Sequence, residues 1–211
     1  IHIVAQPLSL GEGCLLWLFD NGDEISSEVN AVVLKHYRIL KKITAEIPAV
    51  FDIVPAYNSL AVHFDPLGID HNDLKDIFSG INEDNMEEVA ATRYQLPTIY
   101  NGEDLDKVAI HSGLSVDEVV KLHSQAEYTV AMIGFTPHFP YLIGLDSRLE
   151  TPRLKTPRTR IPTGSVGIGG AQTGVYPTES PGGWNLIGWT DPEILHELRP
   201  GDIVSFIERK P

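Results

Sequence analysis

The chain has 211 residues, with 29 acidic and 16 basic side chains and a formal net charge of −13 at pH 7. This charge argues against nucleic acids and membranes as partners, because both need a basic binding face. Cys14 is the only cysteine, which excludes an internal disulfide and a thiolate zinc site. Together with the lack of an apolar run long enough to cross a bilayer, the composition predicts a cytoplasmic protein.

The first ninety residues predict a small α+β domain. The apolar run Gly13–Phe19 predicts a buried strand, and Asn21–Asp23 predicts a turn. A helix is predicted from Ser26 or Ser27 to Ile43, because apolar residues, Leu40 and Ile43 among them, recur there at three- and four-residue spacing and form its buried face. The next predicted elements are two strands, a shorter helix, an acidic linker and a further strand, at 50–54, 60–64, 70–81, 82–88 and 93–99.

The order of these elements is strand, helix, strand, strand, helix, strand. This order is typical of the split βαβ, ferredoxin-like arrangement. The strand at 93–99 either closes this first domain or opens the second. We therefore expect a first domain at 1–90 and a second at 91–211.

The second domain starts with helices and continues with short strands. One helix is predicted from Asp104 to His111, with Gly113 as its C-terminal stop. A capping box at Ser115 and Glu118 opens a second helix that runs to His123. A strand is predicted at 128–135. Beyond it, short apolar runs separated by glycine and proline turns predict a small β-barrel, with strands at 166–168, 175–176, 184–189 and 203–207.

The stretch from Gly134 to Trp184 is the best candidate for a functional region. Nine glycines and seven prolines fall within these 51 residues, interleaved with aromatic and branched apolar side chains. Disordered segments lack such apolar residues, so the stretch is predicted to form a folded, turn-dense surface. Folded loops of this kind often carry binding or catalytic residues.

Five of the sixteen basic residues lie within thirteen positions of this region. The planar guanidinium of arginine binds carboxylates and phosphates through two hydrogen bonds, so the cluster is a candidate site for a small anionic substrate. A solvated loop or a salt-bridged interface is the alternative. If 156–161 is extended, two of these arginines point to the same face. The cluster comprises Arg148, Arg153, Lys155, Arg158 and Arg160.

Other polar residues give weaker signals. His123, near a helix end, is a candidate general base or an ordinary capping histidine, and its spacing from His111 does not suit a metal site. Gln172 and Thr173 are flanked by glycines and either stabilise a ligand oxygen or form a structural turn. The sequence contains no Gly-x-x-x-x-Gly-Lys-Ser/Thr phosphate loop, so no ATP site of that type is expected on this chain.

An ordered series of motifs resembles one known family over nearly the whole chain. It is the carboxyltransferase C/D-domain family, which includes subunits of 5-oxoprolinase, Kip-type histidine-kinase inhibitors and a part of biotin-dependent urea carboxylase. The motifs are Gly134–Leu142, Thr151–Arg153, Pro157–Arg158, Pro162–Ile168, Ala171–Pro177 and Ser180–Gly188.

The resemblance implies a small ferredoxin-like α+β domain followed by a cyclophilin-like β-barrel. It implies a subunit of an ATP-dependent 5-oxoprolinase, which opens the lactam 5-oxoproline to glutamate and is inactive without its partners. Those partners are the C subunit, which is the sister carboxyltransferase half, and the A subunit; ATP is expected on the partners, with no cofactor or metal on this chain. The alternatives are inhibition of a sporulation sensor histidine kinase and a carboxyltransferase role in a urea carboxylase-like enzyme.

At positions that match the family pattern, the resemblance also supplies site candidates. The expected catalytic residues are His123, Tyr128, Gln172 and Thr173. The expected substrate-binding residues are Arg153, Arg158, Phe139, Tyr141 and Ser165, with Arg153 or Arg158 holding a carboxylate or a phosphorylated intermediate. The chain departs from the family at His138, where a glycine is usual, and after Thr190, where its segment is shorter.

Overall fold

The computed structural model describes residues 6–19, 25–81 and 90–210. The chain divides into two compact units, Ile1–Ala90 and Ala91–Pro211, and each is described by itself. The turn predicted at Asn21–Asp23 and the acidic linker predicted at 82–88 lie outside the described residues. None of the helices within the described ranges is both long enough and apolar enough to span a bilayer.

The N-terminal unit is a four-stranded antiparallel sheet with two helices. Its strands follow the order β1-β2-β4-β3. The core contains Trp17, Leu40 and Leu60, and the Trp17 ring stacks on Phe78 at 4.5 Å between centroids. The elements are β1 (Gln6–Ser9), β2 (Cys14–Leu18), α1 (Ser27–Ile43), β3 (Val50–Pro55), β4 (Ser59–Phe64) and α2 (His71–Ser79).

The predicted split βαβ arrangement is confirmed in this unit. Strands β2 and β3 are joined through α1, and β4 lies between them, antiparallel to both. The edge position beside β2 is occupied by β1. The strand at 93–99 pairs in the second unit instead, so of the two alternatives for that strand, the opening of the second domain is correct.

Helix α1 begins where the sequence predicted, but its buried face is partly different. Ser26 caps it by accepting a hydrogen bond from the Val29 N–H. Leu40 is buried as predicted, whereas Ile43 is 47% exposed. The next inward position after Leu40 is four residues on, at Thr44, which is 5% exposed and continues the helical period into a 3₁₀ turn.

The C-terminal unit is built on a closed seven-stranded barrel, which confirms the predicted β-barrel. Its strands run in the order β10-β7-β6-β13-β5-β12-β9, with β13 parallel to β5 and the other pairs antiparallel; β8 and β11 form a separate two-stranded sheet. The strands are β5 (Arg93–Ile99), β6 (Glu127–Ile133), β7 (Pro140–Ile143), β8 (Arg158–Ile161), β9 (Ser165–Ile168), β10 (Thr173–Val175), β11 (Ser180–Gly182), β12 (Asn185–Thr190) and β13 (Ile203–Glu208).

Two helices, α3 (Leu105–Ser112) and α4 (Val116–Gln125), precede strand β6 in this unit. Helix α3 ends at Gly113, which has the left-handed φ of 68° that glycine accommodates without strain. The predicted capping box of Ser115 and Glu118 opens α4, with both reciprocal hydrogen bonds present. Both helix boundaries therefore follow from signals close to them in the sequence.

Candidate functional site

Three of the four predicted catalytic residues meet in one network inside the C-terminal unit. His123, on α4, is completely buried, and its ring packs on Phe206 at 4.5 Å between centroids. Its Nε2 lies 2.9 Å from the Thr173 hydroxyl, and its Nδ1 lies 2.8 Å from the Tyr100 hydroxyl. Tyr128 donates from its hydroxyl to the His123 carbonyl at 2.9 Å. We call these residues the His123 network.

The Gly167 carbonyl, which can only accept a hydrogen bond, determines where the hydrogens lie in the His123 network. The Thr173 hydroxyl donates to the Gly167 carbonyl at 2.9 Å, so its oxygen accepts from the Nε2–H of His123. The Nδ1 of the neutral ring is then the acceptor of the Tyr100 hydroxyl. Both ring nitrogens of His123 are therefore saturated by neighbours in the barrel.

Burial also sets the protonation of this network. It lowers the pKa of His123 to about 3, because the charged imidazolium would lose its solvation. Burial likewise raises the pKa of Tyr100 and of Tyr128, which keeps both phenols neutral. A neutral, saturated histidine of this kind orders the barrel interior. Its expected role in proton transfer stays a prediction.

A second group of predicted residues surrounds Trp184 at the junction of β11 and β12. The rings of Phe139 and Tyr141 lie edge-on to the Trp184 ring at 5.4 and 5.7 Å between centroids, and Phe139 also contacts Tyr176 at 5.0 Å. Phe139, Tyr176 and Trp184 are buried, whereas Tyr141 is half-buried. We call these four residues the Trp184 cluster. Burial raises the pKa of Tyr176 to about 12.

Glycines let the chain approach the Trp184 ring closely. A Cβ on Gly169 would stand 2.5 Å from the indole Cδ1 and Nε1 atoms, and a Cβ on Gly174 would stand 3.0 Å from Cζ3. Larger residues at these two positions would push the indole aside. The glycine-rich sequence around Gln172 is thus the packing partner of the Trp184 ring.

Arg153 is the exposed cation of this cluster. Its guanidinium carbon lies 5.9 Å from the centroid of the Trp184 ring, within the range of a cation–π contact. Among the described residues it has no ion-pair partner, and its side chain is exposed. Its positive charge opposes the upward shift that burial causes in the Tyr141 pKa. Arg153 is therefore free to take an anion from solvent.

Arg158 occupies a different environment, although it lies only five residues along the chain. Its Nη2 is 2.9 Å from Asp104 Oδ2, and its Nε is 2.8 Å from Glu103 Oε1. Asp104 is 6% exposed and also accepts a hydrogen bond from the Leu186 N–H at 2.8 Å. The guanidinium of Arg158 is thus already paired within the fold, and its expected role in holding substrate stays a prediction.

The remaining predicted residues lie around these two groups. Ser165, in β9, is 6% exposed, and Gln172 is 8% exposed in the loop between β9 and β10. Arg148 pairs with Asp146, and Arg160 pairs with Glu179 at 2.6 Å. The arginines of the basic cluster are therefore divided among separate partners rather than gathered around one anion.

The sequence did not single out several residues that complete these groups. Trp184 stands in the motif Ser180–Gly188, so its position in that motif was an available signal. Tyr100 and Asp104 carried no such signal. Their partners His123 and Arg158 lie 23 and 54 positions away along the chain, and only the fold brings them together.

Comparison with known proteins gives a single family. Residues 7–201 match the model of the carboxyltransferase domain, subdomain C and D. The 5-oxoprolinase B subunit of Bacillus subtilis (strain 168) is 37% identical, with 96% of this chain and 92% of that protein covered. The 5-oxoprolinase B subunit of Escherichia coli O157:H7 is 39% identical, with 89% of this chain and 91% of that protein covered.

Solved structures agree with the fold. The crystal structure of TTHA0988 superposes with a TM-score of 0.83 at 35% identity and covers 94% of this chain. This chain spans only 40% of the TTHA0988 chain. The Kluyveromyces lactis urea carboxylase superposes with a TM-score of 0.75 over 98% of this chain and 22% of that protein, at 18% identity, which shows a shared fold alone.

Proposed function

The chain belongs to the carboxyltransferase domain family, subdomain C and D, and from this premise we propose that it acts as the B subunit of a 5-oxoprolinase. The similarity to the B subunits of Bacillus subtilis and Escherichia coli, over about nine-tenths of both chains, carries this proposal. The similarity to urea carboxylase is far lower in identity and supports a common fold rather than a common reaction.

The names of these relatives imply an assembly of several subunits. We propose that the partners are the A subunit of 5-oxoprolinase and its C subunit, the sister carboxyltransferase half. The TTHA0988 chain supports a companion of this kind, because the similarity to this chain covers less than half of its length. We further propose that ATP binds to the partner subunits, since the sequence contains no Gly-x-x-x-x-Gly-Lys-Ser/Thr loop. A cytoplasmic location remains a prediction.

In the proposed reaction, water is added across the lactam C–N bond of 5-oxoproline, and glutamate is released. A lactam carbonyl is a weak electrophile, so its oxygen must be activated, and this is the step for which ATP is required. The substrate also carries a carboxylate that the reaction leaves unchanged. We propose that Arg153 holds this carboxylate, because its guanidinium is exposed, without an ion pair among the described residues, and placed over the Trp184 ring.

The experiment is a reconstitution. The chain is combined with the purified A and C subunits, and ATP-dependent release of glutamate from 5-oxoproline is measured against the chain alone and the partners alone. We expect activity only with all three components. An activity of the partners alone that this chain does not increase would refute the proposal.

A further inference from the structure

Gly183 and Asn185, which flank Trp184 in the sequence, fix the backbone on both sides of Arg153. Asn185 donates from its side-chain Nδ2 to the Pro152 carbonyl at 2.9 Å, and the Leu154 N–H donates to the Gly183 carbonyl at 2.7 Å. These two groups belong to the peptide units immediately before and after Arg153. Both peptide planes are therefore held, which sets the direction in which the Arg153 side chain leaves the backbone.

Asn185 also ties this segment to the barrel. Its Nδ2 donates a second hydrogen bond to the Ile168 carbonyl, at 3.2 Å, on the neighbouring strand β9. Just upstream, Thr151 exchanges backbone hydrogen bonds with Gly170. The exposed Arg153 thus stands on a backbone that is anchored to the barrel before it and to the Trp184 segment on both sides.

Within the described residues, the side-chain amide of Asn185 donates hydrogen bonds but accepts none. Its Nδ2 faces two carbonyls, so the orientation of the amide is determined, and its Oδ1 has no hydrogen-bond partner among the described residues. The residue is completely buried. A buried acceptor without a donor is unfavourable, so the stabilising contacts of this side chain are its two donated hydrogen bonds. The donated bonds, which hold the Arg153 segment, then account for asparagine at this position.

We propose that Asn185 is the positioning residue of the substrate site: it holds the Pro152–Leu154 backbone so that the Arg153 guanidinium lies over Trp184, ready for a small carboxylate. This inference rests on the proposed function of Arg153. Asn185 itself touches no substrate. It acts through Arg153, and its loss should weaken the binding of the acid more than it slows the chemical steps.

The chain offers a matched control in the N-terminal unit. Asn30 is also completely buried, its Nδ2 donates to two backbone carbonyls, those of Ala56 and Tyr57, at 3.1 and 3.3 Å, and its Oδ1 likewise has no partner among the described residues. Replacing Asn30 by alanine therefore removes the same kind of contact in a unit that does not contain Arg153.

The test measures KM for 5-oxoproline and kcat of the assembled enzyme, with the thermal midpoint of each variant recorded. We expect Arg153→Ala to raise KM about tenfold or more, since a charge-assisted contact is lost. Asn185→Ala should raise KM about fivefold with a smaller change in kcat. The KM of Asn185→Ser should lie between that of Asn185→Ala and that of the wild type. Asn30→Ala should lower the thermal midpoint and leave KM unchanged. Should Asn185→Ala fail to fold, the serine variant decides.

A double variant separates positioning from general stability. If Asn185 acts through Arg153, then Arg153→Ala with Asn185→Ala has the KM of Arg153→Ala alone. An unchanged KM in the Asn185 variants, or a further increase in the double variant, would overturn the inference while leaving Arg153 as the anchor. An unchanged KM in Arg153→Ala would instead refute the proposed role of Arg153, and the inference would fall with it.

Discussion

Arg158 and Arg160 allow a sharp comparison, because they lie on the same strand and differ in burial. The Arg158 side chain is 23% exposed and pairs with Asp104, whose side chain is 8% exposed. The Arg160 side chain is 76% exposed and pairs with Glu179, which is 49% exposed. Removing one partner of a buried pair leaves an uncompensated charge, whereas an exposed pair is screened by water. We therefore predict that Arg158→Ala is much more destabilising than Arg160→Ala.

The size of the difference follows from what remains around Asp104. Without Arg158, its carboxylate keeps the hydrogen bond from the Leu186 N–H but loses its partner charge. Breaking a fully buried pair costs about 3–5 kcal/mol, and the partial exposure of Arg158 lowers our estimate to about 2–3 kcal/mol. For Arg160→Ala we expect a loss of about 0.5 kcal/mol or less. The corresponding fall in thermal midpoint for Arg158→Ala is about 4–12 °C.

The assay is urea denaturation of both variants and of the wild type, with the slope against urea checked for constancy. A second variant, Asp104→Asn, keeps an acceptor for Leu186 and removes the charge. Combined with Arg158→Ala, it should be less destabilised than Arg158→Ala alone, because no buried charge is left unpaired. Two results would show that burial does not govern how much the Arg158–Asp104 pair stabilises the fold. One is an equal loss of unfolding free energy in Arg158→Ala and Arg160→Ala, and the other is a combined variant no more stable than Arg158→Ala.

Two further predictions concern histidines. His123 has a pKa of about 3 in the folded chain, against 6.5 in the unfolded chain, so unfolding takes up a proton below pH 6.5. The free energy of unfolding should therefore fall as the pH is lowered from 6.5 to 5, by up to about 1.4 kcal/mol per pH unit. His123→Asn should lack this component in urea denaturation at pH 7, 6 and 5, and identical pH slopes would contradict it. His138 has a φ of 67°, so His138→Gly should be about 1 kcal/mol more stable than His138→Ala, which retains the backbone strain. Equal unfolding free energies in the two variants would contradict this reasoning.

The turn at His138 has an unusual backbone conformation for a residue with a side chain. Its φ of 67° is the left-handed conformation that glycine adopts without strain. Phe135, in the same turn, has a φ of 68° and is 60% exposed. The strand predicted to extend to Phe135 therefore ends at Ile133, because the chain turns there.

Elements with local signals could be predicted, and elements that depend on distant pairing could not. The cap at Ser115 and the end of α3 at Gly113 are determined by nearby residues, and both predictions are confirmed. Strand β7 (Pro140–Ile143) was not predicted, because it is four residues long and follows a proline-rich turn. Its pairing with β6 and β10 supplies what the local pattern lacks.

The same limit applies to the arginines. The sequence does not show which of Arg153 and Arg158 binds an anion, since both lie in one basic cluster within motifs of the family. What separates them is Asp104, a residue 54 positions before Arg158, which occupies one guanidinium and leaves the other exposed. The prediction of an anion-binding arginine in this region was therefore attainable from the sequence, whereas the choice between the two needed the fold.

The exposure of Arg153 also bears on why a protein of this kind would need partners. In water, a guanidinium and a carboxylate about 4 Å apart attract each other by only about 1 kcal/mol, and the attraction grows several-fold when water is excluded. The clamp from Gly183 and Asn185 reduces the backbone freedom that binding must remove, but it does not cover the guanidinium. A second protein surface over Arg153 would exclude water and strengthen the contact. For this reason we expect this chain alone to bind 5-oxoproline weakly, and the assembled enzyme to bind it more tightly through the same arginine.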